Sequence, residues 1–186
     1  MAYLSKKDSR DFLTLQDYSA DEIWGILKMA KEIRSRPEKY SSHLEGKSVL
    51  LLFQKASTRT RVSFEVAIRQ LGGFPISLGW GEAQLGRGET VADTARVFGR
   101  YVQCVVARVH NHSDLEEMAS YADIPIVNAL SDLYHPCQTV ADLFTIWEHF
   151  DSLKNLKMAY IGDANNVCNS LLIGCSKIGL DITVAC

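Results

Sequence analysis

The chain has no excess of either charge: 20 Lys and Arg stand against 22 Asp and Glu, a net charge of −2 over 186 residues. A nucleic-acid binder ordinarily carries a basic surplus or stripe, so that class is disfavoured. No apolar run approaches the length of a membrane span, and Met1 to Asp8 holds no apolar core of signal-peptide size. The expectation is a cytoplasmic protein with neither a membrane nor a nucleic acid as partner. Cysteines are few and badly spaced for metal or disulfide work. Cys104, Cys137, Cys168, Cys175 and Cys186 are odd in number and form no C-x-x-C pair, which leaves reduced thiols. Internal repeats and low-complexity tracts are also lacking.

What is present is a 47% hydrophobic composition, enough for one core and the beginning of a second. Short β-rich runs at Val49–Phe53, Ile76–Leu78, Val105–Val109, Ile124–Asn128, Met158–Ile161 and Ile182–Ala185 alternate with helical patterns. That alternation predicts an α/β fold, a three-layer parallel sheet with helices on both faces. Ile23, Ile26, Leu27, Ala30 and Ile33 mark an amphipathic helix over 20–34. Ser113 and Glu116 suggest a capping box, and Pro125 the start of a strand. The polar stretch His149 to Asn155 divides a domain at 1–150 from a piece at 151–186. The latter holds only a β-α-β unit, too little to cover both faces of a sheet, so the chain reads as a fragment or as one that needs a partner.

Ligands of open α/β sheets sit beyond the carboxyl ends of the strands. Polar clusters recur there: Ser57-Thr58-Arg59-Thr60-Arg61, the loop 79–89 with Gln84, Arg108, the turn Ser131 to Gln138, and Gly162 to Asn166. Ser and Thr suit a helix N-cap and first turn, where free N–H groups and the helix dipole favour an anion. Arg59 and Arg61 add forked donors that match phosphate or carboxylate oxygens. His135 can polarise a carbonyl, and Gln138 carries both a donor and an acceptor, which suits an amide-like group. Together these residues suit transfer from a doubly anionic, phosphate-bearing electrophile.

The pair Ser57-Thr58-Arg59-Thr60-Arg61 and His135-Pro136-Cys137-Gln138 resembles the aspartate/ornithine carbamoyltransferase family. The first motif continues suitably as Val62-Ser63-Phe64-Glu65. Leu130 to Pro136, Gln84 to Glu89 and Ala92 to Val97 are closer to the ornithine branch than to the aspartate branch. The resemblance runs over essentially the whole chain but accounts only for the N-terminal portion of a family member. It implies a carbamoyl phosphate-binding domain followed by the first β-α-β of a second, Rossmann-like domain that binds ornithine. Ser57, Thr58, Arg59, Thr60 and Arg108 would hold the phosphate; His135 and Arg108 would polarise the carbamoyl carbonyl, and Gln138 would hold its amino group. Arg59, Arg108 and His135 are thereby the implied catalytic residues. Gln84 would reach the site of a neighbouring subunit in a homotrimer, and Asn166 would bind the amino-acid end of ornithine. Carbamoyl phosphate and L-ornithine would yield citrulline and phosphate, as in arginine biosynthesis, with no metal and no organic cofactor.

The family's later motifs for ornithine and the carbamoyl group lie beyond Cys186, which keeps other acceptors open: putrescine, an acylated ornithine or aspartate. A non-catalytic carbamoyl phosphate-binding or trimer-forming fragment is the rival reading. Nucleotide binding fits poorly. Gly46-Lys47-Ser48 has Ser41 where a phosphate loop needs Gly and precedes a strand, and Ala164 stands where a dinucleotide fingerprint needs its second Gly. His110 and His112 lack a third metal ligand nearby and read as surface residues.

Overall fold

The computed structural model of the chain describes residues 10–186. Its strands are β1 (Ser48–Phe53), β2 (Phe74–Gly79), β3 (Cys104–Arg108), β4 (Ile126–Leu130), β5 (Lys157–Ile161) and β6 (Asp181–Ala185). Between and before them run α1 (Ala20–Ser35), α2 (Thr58–Gln70), α3 (Val91–Tyr101), α4 (His112–Tyr121), α5 (Pro136–Phe150) and α6 (Asn166–Ile178). The first four strands form a parallel sheet in the order β2-β1-β3-β4, while β5 and β6 pair in a sheet of their own.

Side-chain alternation divides the first sheet between two cores. Leu50 and Leu52 of β1, with Val105 and Ala107 of β3, face Ala95 of α3 and Leu115 and Met118 of α4. Val49, Leu51 and Val106 take the opposite face, against Ile68 of α2. A strand covered on both sides must be apolar at every position, which is why β1 reads as an unbroken run. A third core gathers Leu27 of α1, Leu143 of α5 and Cys175 of α6 with Trp24, Trp147, Met158 and Ile182. The amphipathic helix α1 therefore seats against α5 and α6 rather than against the four-stranded sheet.

Several local expectations shift. The Ser113–Glu116 capping box does not form: α4 begins at His112 with Asn111 as N-cap, and Ser113 lies inside its first turn. That start is fixed from outside the helix. The His112 backbone N–H donates to Asp132 Oδ1 at 2.7 Å, and its Nδ1 lies 2.9 Å from Ser131 Oγ. His112 is thus a buried, hydrogen-bonded core residue and not a surface one, whereas His110 is exposed. A capping box does close α1, between Ser19 and Glu22. β4 starts at Ile126 and not Ile124; Pro125 has no N–H to give, and its carbonyl accepts from Val105 N–H at 3.0 Å. The outer side of β4 is paired with the N-terminal segment: Phe12 N–H donates to the Ile126 carbonyl at 2.8 Å, and Asn128 N–H to the Phe12 carbonyl at 2.9 Å. All five cysteines are free thiols. Among the described residues no helix is long and apolar enough to cross a membrane.

Candidate active site

β1 and β3 are neighbours, and their register sets Phe53 opposite Arg108, so the turn after β1 and the Arg108 side chain leave the sheet side by side. The β3–β4 register slips at this point, Ala107 pairing with Asn128 but Arg108 with Leu130. Such a bulge turns a side chain out of the regular ladder. Arg108 Nη1 donates to Ser57 Oγ at 3.1 Å and to Thr60 Oγ1 at 3.3 Å. α2 begins at Thr58, earlier than its apolar spacing from Val62 suggests, with Ser57 as N-cap. Because the Ser57 hydroxyl serves Arg108, it makes no cap bond. The first-turn N–H groups consequently have no intrahelical acceptor and no side-chain cap.

Arg108 Nε is buried without a hydrogen-bond partner among the described residues. Burial lowers the guanidinium pKa, but from a value so far above neutrality that the charge is kept. His135 is the N-cap of α5, with Pro136 in the first helical position. Its backbone N–H donates to Ser170 Oγ of α6 at 2.8 Å, and its carbonyl accepts from Gln138 N–H at 3.1 Å. Burial, and then the charge of Arg108, push the imidazole pKa down to about 4, so the ring is neutral at pH 7. Its Nδ1 is buried and has no hydrogen-bond partner among the described residues. A neutral ring carries one N–H, a donor suited to a carbonyl oxygen.

One turn into α5, Gln138 Nε2 donates to Asp142 Oδ1 at 2.8 Å. A cavity of about 700 Å³ is lined by Ser57, Thr58, Arg59, Thr60, Arg108, His135 and Gln138. Ser63, Phe64 and Cys137 line it too, and sequence reasoning passed over them. Ser63 and Phe64 were accessible through helical spacing from Thr60, which puts them on the same face. Cys137 is a wall and not a nucleophile: burial pushes its thiol up to about 12, and Sγ donates to the Asn128 carbonyl at 3.3 Å.

Two expected residues lie apart from this cavity. Gln84 is exposed and opens a short 3-10 turn over Gln84–Arg87. Asn166 begins α6, where its Nδ2 donates to the Ser131 carbonyl. The polar cluster 162–166 follows β5 and so does not share the edge of the four-stranded sheet, contrary to expectation. It reaches that edge through α6. Asn169 Nδ2 donates to the Leu133 carbonyl at 3.1 Å, alongside the Asn166 and Ser170 bonds to the same loop.

An arginine-bearing cleft of this size, at the carboxyl edge of a parallel sheet and on an uncapped helix start, has the chemistry that suits a small, multiply charged anion. The chain belongs to the aspartate/ornithine carbamoyltransferase family: residues 10–148 match its carbamoyl-P binding domain. The ornithine carbamoyltransferase of Pyrococcus horikoshii is 52% identical over 178 residues, covering 95% of this chain and 56% of the relative. The solved ornithine carbamoyltransferase of Pyrococcus furiosus has a TM-score of 0.91 at 50% identity, covering 100% of this chain and 59% of that one. For the Thermus thermophilus enzyme the TM-score is 0.89 at 40% identity, covering 95% and 61%. The chain thus spans little more than half the length of these relatives.

Proposed function

We propose that the chain is the carbamoyl phosphate-binding part of an ornithine carbamoyltransferase, with 1–150 as the donor domain and 151–186 as the start of the acceptor domain. The observation that carries this is the convergence of Ser57, Thr58, Arg59, Thr60, Arg108, His135 and Gln138 on one cavity. In this reading the α2 N-terminus and both arginines hold the phosphate, neutral His135 donates to the carbamoyl oxygen, and Gln138 accepts from the carbamoyl amine. The neutral δ-amine of ornithine attacks the carbamoyl carbon. A C–N bond forms, the C–O bond to phosphate breaks, and the amine proton leaves with hydrogen phosphate. Charge growing on the departing phosphate meets Arg59 and Arg108, so the rate gain is positioning and preorganised electrostatics.

Asn166 stands for the amino-acid end of ornithine, at the start of a helix that touches the 131–135 loop. Gln84 serves a neighbouring subunit, a role supported by its exposure and by its place outside the lining of its own cavity. A homotrimer is supported by exposed apolar residues on the edge strand β2, Phe74 and Ile76, and on the adjoining α2, Val62 and Val66. The setting is cytoplasmic arginine metabolism. The chain covers 56% of the Pyrococcus horikoshii relative, and carbamoyl phosphate binding is the part of this reading that its own cavity supports.

Calorimetric titration with carbamoyl phosphate tests this. Arg59→Ala is expected to weaken binding by about 1.5–3 kcal/mol, the range for a hydrogen bond to a charged group. Equal affinity in the variant, or no saturable binding by the parent chain, defeats the reading.

A further inference from the structure

Gln138 is the side chain of the cavity whose orientation carries chemical information, because its planar amide has a donor on one side and an acceptor on the other. In the structure the question is already decided by a neighbour. Asp142, one helical turn on in α5, sits with Oδ1 2.8 Å from Gln138 Nε2. A carboxylate can only accept, so the amide nitrogen must be the atom turned toward it. That leaves Gln138 Oε1, at the other end of the same amide, as the group offered to the cavity that Gln138 lines. Asp142 is half-buried, and burial raises its carboxyl pKa while the bond from Gln138 pulls it back. The pair is therefore mutually supporting: the amide N–H stabilises the carboxylate, and the carboxylate prevents the amide from flipping.

We infer that Asp142 is a specificity-determining positioning residue, which holds Gln138 with its oxygen toward the ligand so that the site selects an acyl phosphate bearing N–H donors over one bearing a methyl group. This rests on the proposed carbamoyl phosphate site. A flipped Gln138 would point its NH2 group at the NH2 of the electrophile, two donors facing one another. With the flip prevented, a carbamoyl group gains a hydrogen bond that an acetyl group of nearly the same size and charge cannot make. A site that satisfies a ligand N–H discriminates against the analogue lacking it, because its own acceptor is then left unpaired.

The test compares carbamoyl phosphate, acetyl phosphate and inorganic phosphate as ligands of the 186-residue chain by calorimetry. The parent chain is expected to prefer carbamoyl over acetyl phosphate by about fivefold or more, the scale of one hydrogen bond. Asp142→Ala should bring the two affinities within about twofold of each other and leave inorganic phosphate unchanged. Asp142→Asn, nearly isosteric but able to face Gln138 with either donor or acceptor, should fall between. A merely structural role would lower all three affinities together and leave the ratio intact, which would overturn the inference, as would an undiminished preference in Asp142→Ala. Failure of the parent chain to bind any of the three ligands would instead remove the phosphate site itself, and the inference with it.

Discussion

The two sheets of this chain are built alike and finished differently. In the four-stranded sheet Leu51 and Leu52 are fully buried, with α2 beneath one face and α3 and α4 above the other. In the two-stranded sheet β5 and β6 no residue is fully buried, alternate ones are half-buried, and Ile161 is 85% exposed. A parallel pair covered on one face lacks the burial that normally stabilises parallel sheets. The first sheet can hold its own site residues in place; the second contributes to the molecule mainly through α6, which joins α1 and α5 in a shared core and braces the loop before His135.

Substitutions can sharpen this contrast. Leu51→Ala is expected to cost about 2–5 kcal/mol in chemical unfolding, from lost burial and the cavity left behind, whereas Ile161→Ala should stay within about 0.5 kcal/mol. A comparable loss at both positions would mean that the two sheets are equally consolidated. Gly174→Ala attacks the joint between them. A Cβ there would lie 2.6 Å from Thr139 Cγ2 and 3.1 Å from Leu15 Cδ1, so either the Thr139 side chain must turn or α6 must move off α5. Overpacking of this kind costs roughly 1–3 kcal/mol. The same variant should loosen the 131–135 loop, seen as faster amide exchange there than in β1.

A further contrast separates the joint from the rest by pH. His135 titrates near 4 when folded against an ordinary 6.5, so on acidification the unfolded chain takes up the proton first. Its contribution is complete above about pH 6.5 and is lost as pH falls toward 4. Unfolding measured across that window should show a shallower decline in His135→Gln than in the parent chain. Part of the slope will remain, because buried His112 also has a lowered pKa. An unchanged slope would place the His135 ring in water.

β1 and β3 were legible because burial on both faces forces a continuous apolar run; the other four also lie where short apolar runs predict them, β2 beginning two residues early at Phe74 and β4 two residues late at Ile126. Helix starts were harder. Thr58 to Arg61 carry no apolar period, so the start of α2 was legible only from the N-cap and first-turn preference of Ser57, Thr58 and Thr60, and the buried His112 hid the true start of α4. The site was legible as a set of strand-end residues, yet its contacts were not. The pairing of Arg108 with Ser57 depends on β1 and β3 being neighbours, a matter of strand order that local sequence does not encode. The Gln138–Asp142 bond is different: the two stand one helical turn apart, and spacing alone could have suggested it. That β5 starts a second sheet was legible from the polar stretch His149 to Asn155, which divides it from the four strands before it.

The seating of α1 has a consequence in time. Lys177 Nζ donates to the Gln16 carbonyl at 2.8 Å across 161 positions of sequence, and Leu27 shares its core with Cys175 and Leu180. During synthesis α1 emerges long before α6, and loop closure over such a span is slow relative to local pairing. Trp24 must then stay wet while the four-stranded sheet assembles. It finds cover when Trp147 of α5 arrives, edge-on at 5.5 Å between ring centroids, so α1 is made early and packed late.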